Sequence, residues 1–88
     1  MLSVIRTTQF KRDFKLAQKR GQSMEKLVDI MQKLVNEEPL PAKLKDHKLD
    51  GNYKNHRECH IEPDWLLIYC IVDKEITFVR TGTHSDLF

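Results

Sequence analysis

The sequence has no long hydrophobic run, which limits where the protein is expected to act. None of its apolar stretches approaches the ~20 residues of a membrane-spanning helix, and the N-terminus lacks the basic start, apolar core and small-residue cleavage site of a secretory signal. We therefore expect a cytoplasmic protein without a membrane segment. With 88 residues, 40% hydrophobic and 32% charged, the chain is long enough for one folded domain, residues 1–88, and not for two.

Cysteines and the common metal-binding motifs are scarce as well. Cys59 and Cys70 are the only cysteines, and we expect both to stay reduced and to fill strands. No Cys-x-x-Cys or His-Glu-x-x-His pattern is present. His56 and His60 would share an ion on a helix, but on a strand they lie roughly 13 Å apart. Zinc therefore remains a minor alternative, and we expect neither a metal nor another cofactor.

The sequence also lacks the context of a serine nucleophile. Ser3, Ser23 and Ser85 lie outside any strand-to-helix nucleophile elbow. Four histidines and nearby carboxylates are present, and these groups carry out proton transfer near neutral pH. Metal-free acid and base chemistry is the class of mechanism that remains.

Positive charge is concentrated in the first part of the chain. Residues 1–35 contain eight lysines or arginines and three acids, a net charge of +5, and the remainder carries −3. A basic surface attracts a polyanion such as RNA or an acidic protein, although solvated helix faces have the same composition. Lys11, Lys15 and Lys19 recur every fourth residue, so on a helix they form one stripe. We expect this stripe to face phosphates.

Hydrophobic periodicity predicts one strand and two helices in this first part. Leu2–Ile5 fits an edge strand, and a helix capped by Thr7 or Thr8 should end at Gly21. A second helix follows Ser23. Its apolar positions keep the i, i+3, i+4 spacing and are Met24, Leu27, Val28, Met31, Leu34 and Val35. The two helices form a hairpin that can cover one face of a sheet.

The rest of the chain predicts a long loop and three strands. Glu37–Tyr53 has no sustained periodicity and carries His47. Strands are expected over Lys54–Ile61, Leu66–Val72 and Ile76–Thr81, with the middle strand central. The predicted fold class is therefore α+β, a two-layer arrangement of a helical hairpin packed on an antiparallel sheet.

Local signals define both ends of a candidate site. Pro63 and Asp64 fit the centre of a tight turn, so His60 before the turn and Trp65 after it lie at the same end of a hairpin. Thr83, with an acid three residues later, resembles a capping box that begins one last helical turn. Polar side chains of catalytic type thus meet the most hydrophobic strand of the chain.

Four segments of the sequence resemble the YafQ branch of the RelE/ParE toxins. They are Leu16–Arg20, Lys45–Gly51, Arg57–Tyr69 and Arg80–Phe88. The resemblance covers essentially the whole chain and implies a bacterial toxin that cuts messenger RNA in the ribosomal decoding site. It also implies silencing by a cognate antitoxin, expected to be a ribbon-helix-helix protein whose complex with the toxin binds operator DNA.

Carried over by position, the resemblance assigns roles to single residues. The implied catalytic set is His47, His60, Asp64 and His84. The implied supporting or RNA-contacting residues are Trp65, Arg80 and Phe88. Cleavage would proceed by attack of the ribose 2′-OH on the adjacent phosphorus, leaving a 2′,3′-cyclic phosphate and a 5′-OH. We expect His84 to be the acid and either Asp64 or His60 the base, while His47 and Arg80 stabilise phosphate charge.

Other interpretations of these residues remain open. Asp64 could only shape its turn, and Trp65 could fill the core. Arg80 could pair with Glu58 across the sheet, and Phe88 could seal the end of the core. The alternative functions are a ParE-like toxin that inhibits DNA gyrase by binding, and an RNA-binding module without turnover. Several titratable groups converging on one cleft favour the nuclease, because a binder does not need them.

Overall fold

The computed structural model describes residues 1–88 as a five-stranded sheet with three helices. The strands are β1 (Ser3–Arg6), β2 (His47–Lys48), β3 (Arg57–Glu62), β4 (Trp65–Val72) and β5 (Glu75–Gly82). The helices are α1 (Thr8–Lys19), α2 (Met24–Val35) and α3 (His84–Leu87). This architecture confirms the predicted α+β class, and the capping of α1 by Thr7 and of α3 by Thr83 agrees with the sequence signals.

The strand order β1-β5-β4-β3-β2 places β4 in the centre and β1 at an edge, as predicted. Neighbouring strands from β2 to β5 pair antiparallel. β1 differs, because it pairs with β5 in parallel, with Ser3 opposite Glu75. The first segment of the chain therefore completes the sheet beside its last strand, a long-range pairing that strand periodicity does not indicate.

Helices α1 and α2 cover one face of the sheet and form the main core with it. Fifteen buried residues belong to this core, among them Phe10, Leu27 and Phe78. Val28, predicted to be apolar core, is instead 50% exposed, and Ile30 of the same helix is buried in its place. None of the helices combines the length and apolar character needed to cross a membrane.

The other face of the sheet carries a smaller apolar cluster. Leu66 and Ile68 of β4 pack there against Leu87 of α3. Tyr53 and Val79 pack against the edge of this cluster. Because side chains alternate along a strand, polar residues in register with Leu66 and Ile68 lie on this second face, away from the helical hairpin.

Two β-bulges interrupt the regular pairing. One inserts Ile61 between His60 and Glu62 of β3, and the other inserts Val79 between Phe78 and Arg80 of β5. A bulge changes the face on which the following side chains lie. It places Arg80 opposite Ile68, in register with the second face.

The segment Glu37–Tyr53, predicted to be one long loop, is more ordered than expected. It contains two short 3₁₀ turns, Ala42–Leu44 and Gly51–Tyr53, with β2 between them. Leu44 is buried in the main core, and the next residue, Lys45, has a positive φ of 51° that turns the chain. These local features position the part of the segment that carries a histidine.

Candidate active site

Three of the four histidines lie side by side on the second face of the sheet. The ring centroid of His60 is 6.3 Å from that of His47 and 5.8 Å from that of His84. They come from β3, β2 and the first residue of α3, so three separate elements build the row. The imidazole of His56 contacts the Tyr53 ring and the carbonyl of Lys54.

Asp64, in the turn between β3 and β4, holds His84 from two directions. Its Oδ1 lies 2.6 Å from Nδ1 of His84 and accepts the backbone N–H of His84 at 2.9 Å. These two bonds lower the pKa of the Asp64 carboxyl from its ordinary value. With Nδ1 directed at a carboxylate, Nε2 of His84 is left for the substrate.

The position of His84 depends on how α3 is attached. The Thr83 and Asp86 side chains form a complete capping box, and Asp86 also accepts from Arg20 at 2.6 Å. These bonds, first of all the one from Arg20, hold the pKa of Asp86 well below its usual range. At Gly82 an added Cβ would lie 2.9 Å from the Cβ of Asp86, so the close approach of α3 requires glycine there.

Glu58 is a member of the site that the sequence analysis did not assign. Its carboxylate is 3.3 Å from Nε2 of His60 and 3.9 Å from Nε2 of His47, and the residue is 5% exposed. A buried carboxylate needs a partner of opposite charge or a donor, and these imidazoles are its nearest ones. Strand alternation could have indicated this, because Glu58 and His60 are two residues apart on one strand and share a face.

His47 is held by the backbone of its own loop. Its Nδ1 is 2.6 Å from the carbonyl oxygen of Lys45. The preceding residue, Asp46, accepts a hydrogen bond from the Tyr69 hydroxyl at 2.7 Å and another from Arg57 at 3.2 Å. These bonds join the loop to β3 and β4, so the loop histidine has a fixed support.

Arg80 has a different partner from the one considered in the sequence analysis. It donates to both carboxylate oxygens of Asp13 in α1, each at 3.0 Å, and not to Glu58. Asp13 also accepts the backbone N–H of Thr81. Arg80 is therefore in register with the second face, and its guanidinium is held by Asp13 of α1.

The two aromatic residues expected at the substrate differ in exposure. Trp65 is 1% exposed in the main core, which contradicts the expected RNA contact and supports the alternative that it fills the core. Phe88 is 64% exposed and contacts Tyr53 edge to face at 5.6 Å. Phe88 directly follows α3, and its backbone N–H donates to the carbonyl of His84 at 2.9 Å.

The basic stripe of α1 does not meet the histidines. Lys11 and Lys15 line a shallow groove with Phe14 and Met31 between the two helices. No α1 residue lines the cleft beside His60. Lys19 ends the same helix, and the expectation that the stripe of Lys11, Lys15 and Lys19 faces phosphates stays a prediction.

Three side chains of the site also have the arrangement of metal ligands. Possible ligand atoms of Glu58, His60 and His84 all lie within 4.8 Å of one another. This set differs from the His56 and His60 pair that the sequence analysis rejected. Two imidazoles and one carboxylate suit zinc or copper, and the same groups are those available for proton transfer.

The model of the family described as "Bacterial toxin of type II toxin-antitoxin system, YafQ" matches residues 2–88. A curated relative, the mRNA interferase toxin YafQ of Escherichia coli strain K12, is 53% identical over 81 residues, which cover 91% of this chain and 88% of the relative. The crystal structure of YafQ from E. coli strain BL21(DE3) has a TM-score of 0.95 at 47% identity and covers 100% of this chain and 99% of that one. The crystal structure of the E. coli DinJ-YafQ toxin-antitoxin complex matches with a TM-score of 0.92 at 49% identity. The match covers 99% of this chain and 97% of that chain.

Proposed function

The chain belongs to the YafQ family of bacterial type II toxin-antitoxin toxins, and from this we propose that it is an endoribonuclease that cleaves messenger RNA on the ribosome. The observation that carries the proposal is the row of three histidines, with Asp64 bonded to His84 at one end and Glu58 beside the middle ring. Such a site can deliver and remove protons around one phosphodiester. The site of action is then the cytoplasm.

His84 suits the role of general acid. The carboxylate on Nδ1 fixes the orientation of the ring, so Nε2 faces the substrate and can deliver a proton to the departing 5′ oxygen. Asp64 serves as the orienting partner, because its carboxylate already accepts two hydrogen bonds from His84 and its pKa is lowered. A carboxylate with a lowered pKa is a weaker base.

His60 is the better candidate for the base that takes the 2′-OH proton. Its Nε2 lies against Glu58 at 3.3 Å, which leaves Nδ1 free to accept a proton. Glu58 then stabilises the imidazolium that forms, as a carboxylate does for a catalytic histidine. In this proposal the base, His60, is the middle histidine of the row, and the acid, His84, is at one end.

The remaining groups bind the substrate in this proposal. His47 and Arg80 stabilise charge on the phosphate in the transition state, with Arg80 acting as a fixed cation because Asp13 holds it. Phe88, exposed beside the site, offers a ring on which an RNA base can stack. The reaction needs no metal, and it leaves a 2′,3′-cyclic phosphate and a 5′-OH end.

Mapping of 5′-OH ends after incubation with translating ribosomes tests this function. Wild-type protein should produce such ends in the messenger RNA. A DNA gyrase supercoiling assay and an RNA-binding assay run beside it examine the two alternative functions. If messenger RNA stays uncut and gyrase is inhibited, the protein is a ParE-like binder and not a nuclease. If messenger RNA stays uncut but is bound, the protein is an RNA-binding module.

The partner that controls such an enzyme is a cognate antitoxin, and the E. coli relative is known in a complex with one. We propose that its neutralising part is an acidic segment, disordered when free, that folds along α1 and α2. Lys11 and Lys15 flank the apolar surface of Phe14 and Met31 there, which suits a chain with alternating acidic and apolar residues. In the same proposal the antitoxin is a ribbon-helix-helix protein, and the complex binds operator DNA.

A further inference from the structure

A second basic region lies next to His60, in a cleft that the site assignments do not use. The cleft has a volume of about 400 Å³ and lies between α2, the 3₁₀ turn Ala42–Leu44 and the end of β3. His60 is part of its wall. The other lining residues are Lys26, Lys43, Leu44, Lys45, Ile61, Glu62 and Pro63.

This cleft exists because β2 is short. β2 pairs only with Arg57 and Glu58 of β3. From His60 onward, the outer edge of β3 therefore has no neighbouring strand. The segment before β2 forms the other wall of the cleft beside this edge. An extended ligand can approach the histidines along this edge.

The charge of the cleft is strongly positive. It contains three lysines and one carboxylate, and Lys26 is paired with that carboxylate, Glu62, at 3.1 Å. Lys43 and Lys45 take part in no ion pair. Two unneutralised ammonium groups thus lie on the segment that leads directly to His47, whose ring is bonded to the carbonyl of Lys45.

We propose that this cleft binds backbone phosphates of the single-stranded RNA adjacent to the cleaved bond, with Lys43 and Lys45 as the contacts. The inference rests on the proposed nuclease function and adds to it the path of the substrate. Lysines in a groove follow the charge of a nucleic-acid backbone, and phosphate contacts position a substrate without reading its sequence. Apart from the His60 imidazole, the cleft offers no aromatic ring for base stacking, which agrees with backbone binding.

RNA is favoured over an acidic protein segment by the continuity of the cleft with the site. His60 is both a wall of the cleft and the middle ring of the histidine row. An RNA chain whose reacting phosphate is held at the histidines must leave the site on both sides of that phosphate. The open edge of β3 provides a path for one of these two sides. The groove on the helical face, in contrast, contains no catalytic residue.

The first test compares two double variants that lose the same charge. Lys43→Gln with Lys45→Gln removes the proposed contacts. Arg6→Gln with Lys74→Gln is the control, because Arg6 lies on β1 at the opposite edge of the sheet and the carbonyl of Lys74 accepts the backbone N–H of Ser3 in β1. Binding of a 12-nucleotide single-stranded RNA with 2′-O-methyl groups, which cannot be cleaved, is measured over a range of KCl concentrations.

The slope of log affinity against log salt should fall by about 1.4 in the Lys43 and Lys45 variant, because each phosphate contact on a single strand contributes about 0.7. The control should keep the wild-type slope. Equal slopes in all three proteins, an equal loss in the control, or no measurable RNA binding by the wild type would each overturn the proposal. Lost binding to the antitoxin with an unchanged RNA slope would assign the cleft to a protein instead.

The second measurement uses translating ribosomes and separates this proposal from the nuclease function. The Lys43 and Lys45 variant should need a higher concentration for half-maximal cleavage and keep the rate at saturation. A lower saturated rate with an unchanged half-maximal concentration would show a disturbed His47 loop and overturn the proposal.

The single Lys43→Gln variant should show about half of the slope change, and thermal melting confirms that each variant is folded. If the wild type itself leaves the messenger uncut, the nuclease function fails, while the RNA-binding result still decides the cleft.

Discussion

Replacement of His84 by alanine tests the proposed acid most directly. Cleavage should fall by roughly 10² or more, the range that a positioned proton donor contributes. The fold should remain, because the side chain of His84 contacts Asp64 and the His60 ring and lies outside both apolar clusters. Mapping of 5′-OH ends measures the activity, and the melting temperature serves as the control.

His60→Ala and Asp64→Ala should also impair turnover, for different reasons. The first removes the proposed base, and the second removes the carboxylate that orients His84. His56→Ala is a matched histidine control, since the imidazole of His56 contacts Tyr53 and the carbonyl of Lys54 and is not part of the histidine row. Full cleavage by His84→Ala, or an equal loss in His56→Ala, would contradict the assignment.

The Glu58, His60 and His84 cluster predicts how metal ions affect the enzyme. Cleavage should persist in excess EDTA when ribosome integrity is controlled separately, because side chains carry out both proton transfers. Added Zn²⁺ or Cu²⁺ should inhibit, since an ion held by Glu58, His60 and His84 would engage both imidazoles and the carboxylate that the proton transfers require.

Kinetics with and without each ion measure this effect. The His56→Gln variant should be inhibited as strongly as the wild type, because His56 lies outside the cluster. Stimulation of cleavage by zinc, or a stoichiometric zinc ion required for activity, would contradict the metal-free mechanism.

At the scale of elements, the attachment of α3 predicts a dependence of stability on pH. Folding lowers the pKa of Asp86 through its bonds to Arg20 and Thr83. A carboxyl group lowered in this way adds stability above its unfolded pKa of about 3.9, and this stability is lost as the pH falls towards the lower folded value. The melting temperatures of wild type and Asp86→Asn should therefore differ at pH 6 and approach each other at pH 2. A difference that stays constant would exclude this role of Asp86.

The elements that the sequence predicted well are those with local signals. The cap of α1 at Thr7, the turn at Pro63 and the capping box of Thr83 each depend on residues a few positions apart. The parallel pairing of β1 with β5 depends on residues far apart in the chain, and the bulge at Val79 lies within a hairpin but leaves no mark on the residue alternation of β5. Such contacts have no local pattern, and the strand periodicity around Val79 could not indicate the face of Arg80.

The residues of the candidate site were also predicted only in part from the sequence. The family motifs indicated the three histidines and Asp64, whose geometry is now described and whose roles remain proposals. Asp13 was missed although it occupies the buried side of α1 between Phe10 and Ala17, where a charge at 7% exposure requires a partner. Trp65 was placed at the substrate by its motif, but its ring belongs to the core.

At the scale of the whole molecule, the sheet separates two surfaces with different partners in our proposal. The histidines lie on one face, the helical hairpin covers the other, and the cleft lies at the edge of the sheet between α2 and the end of β3. Hydrogen exchange with and without antitoxin should show protection in residues 11–35. Charge reversal at Lys11 and Lys15 should weaken antitoxin binding, and high salt should reduce the difference from wild type. Protection confined to the sheet would reject this docking mode.

The parallel contact between β1 and β5 has a consequence for the order of folding. The Thr7 hydroxyl donates to the carbonyl of Val79, 72 positions away, and closing so long a loop costs entropy before any contact is gained. The hairpins joining β3, β4 and β5 need only short turns, so we expect them to form first and the N-terminal segment to dock last. Asp13 arrives with that segment and anchors Arg80 and Thr81. A folding intermediate with the meander formed would thus hold its histidines near one another and still lack the fixed guanidinium, which makes the final docking step the moment at which the enzyme becomes competent.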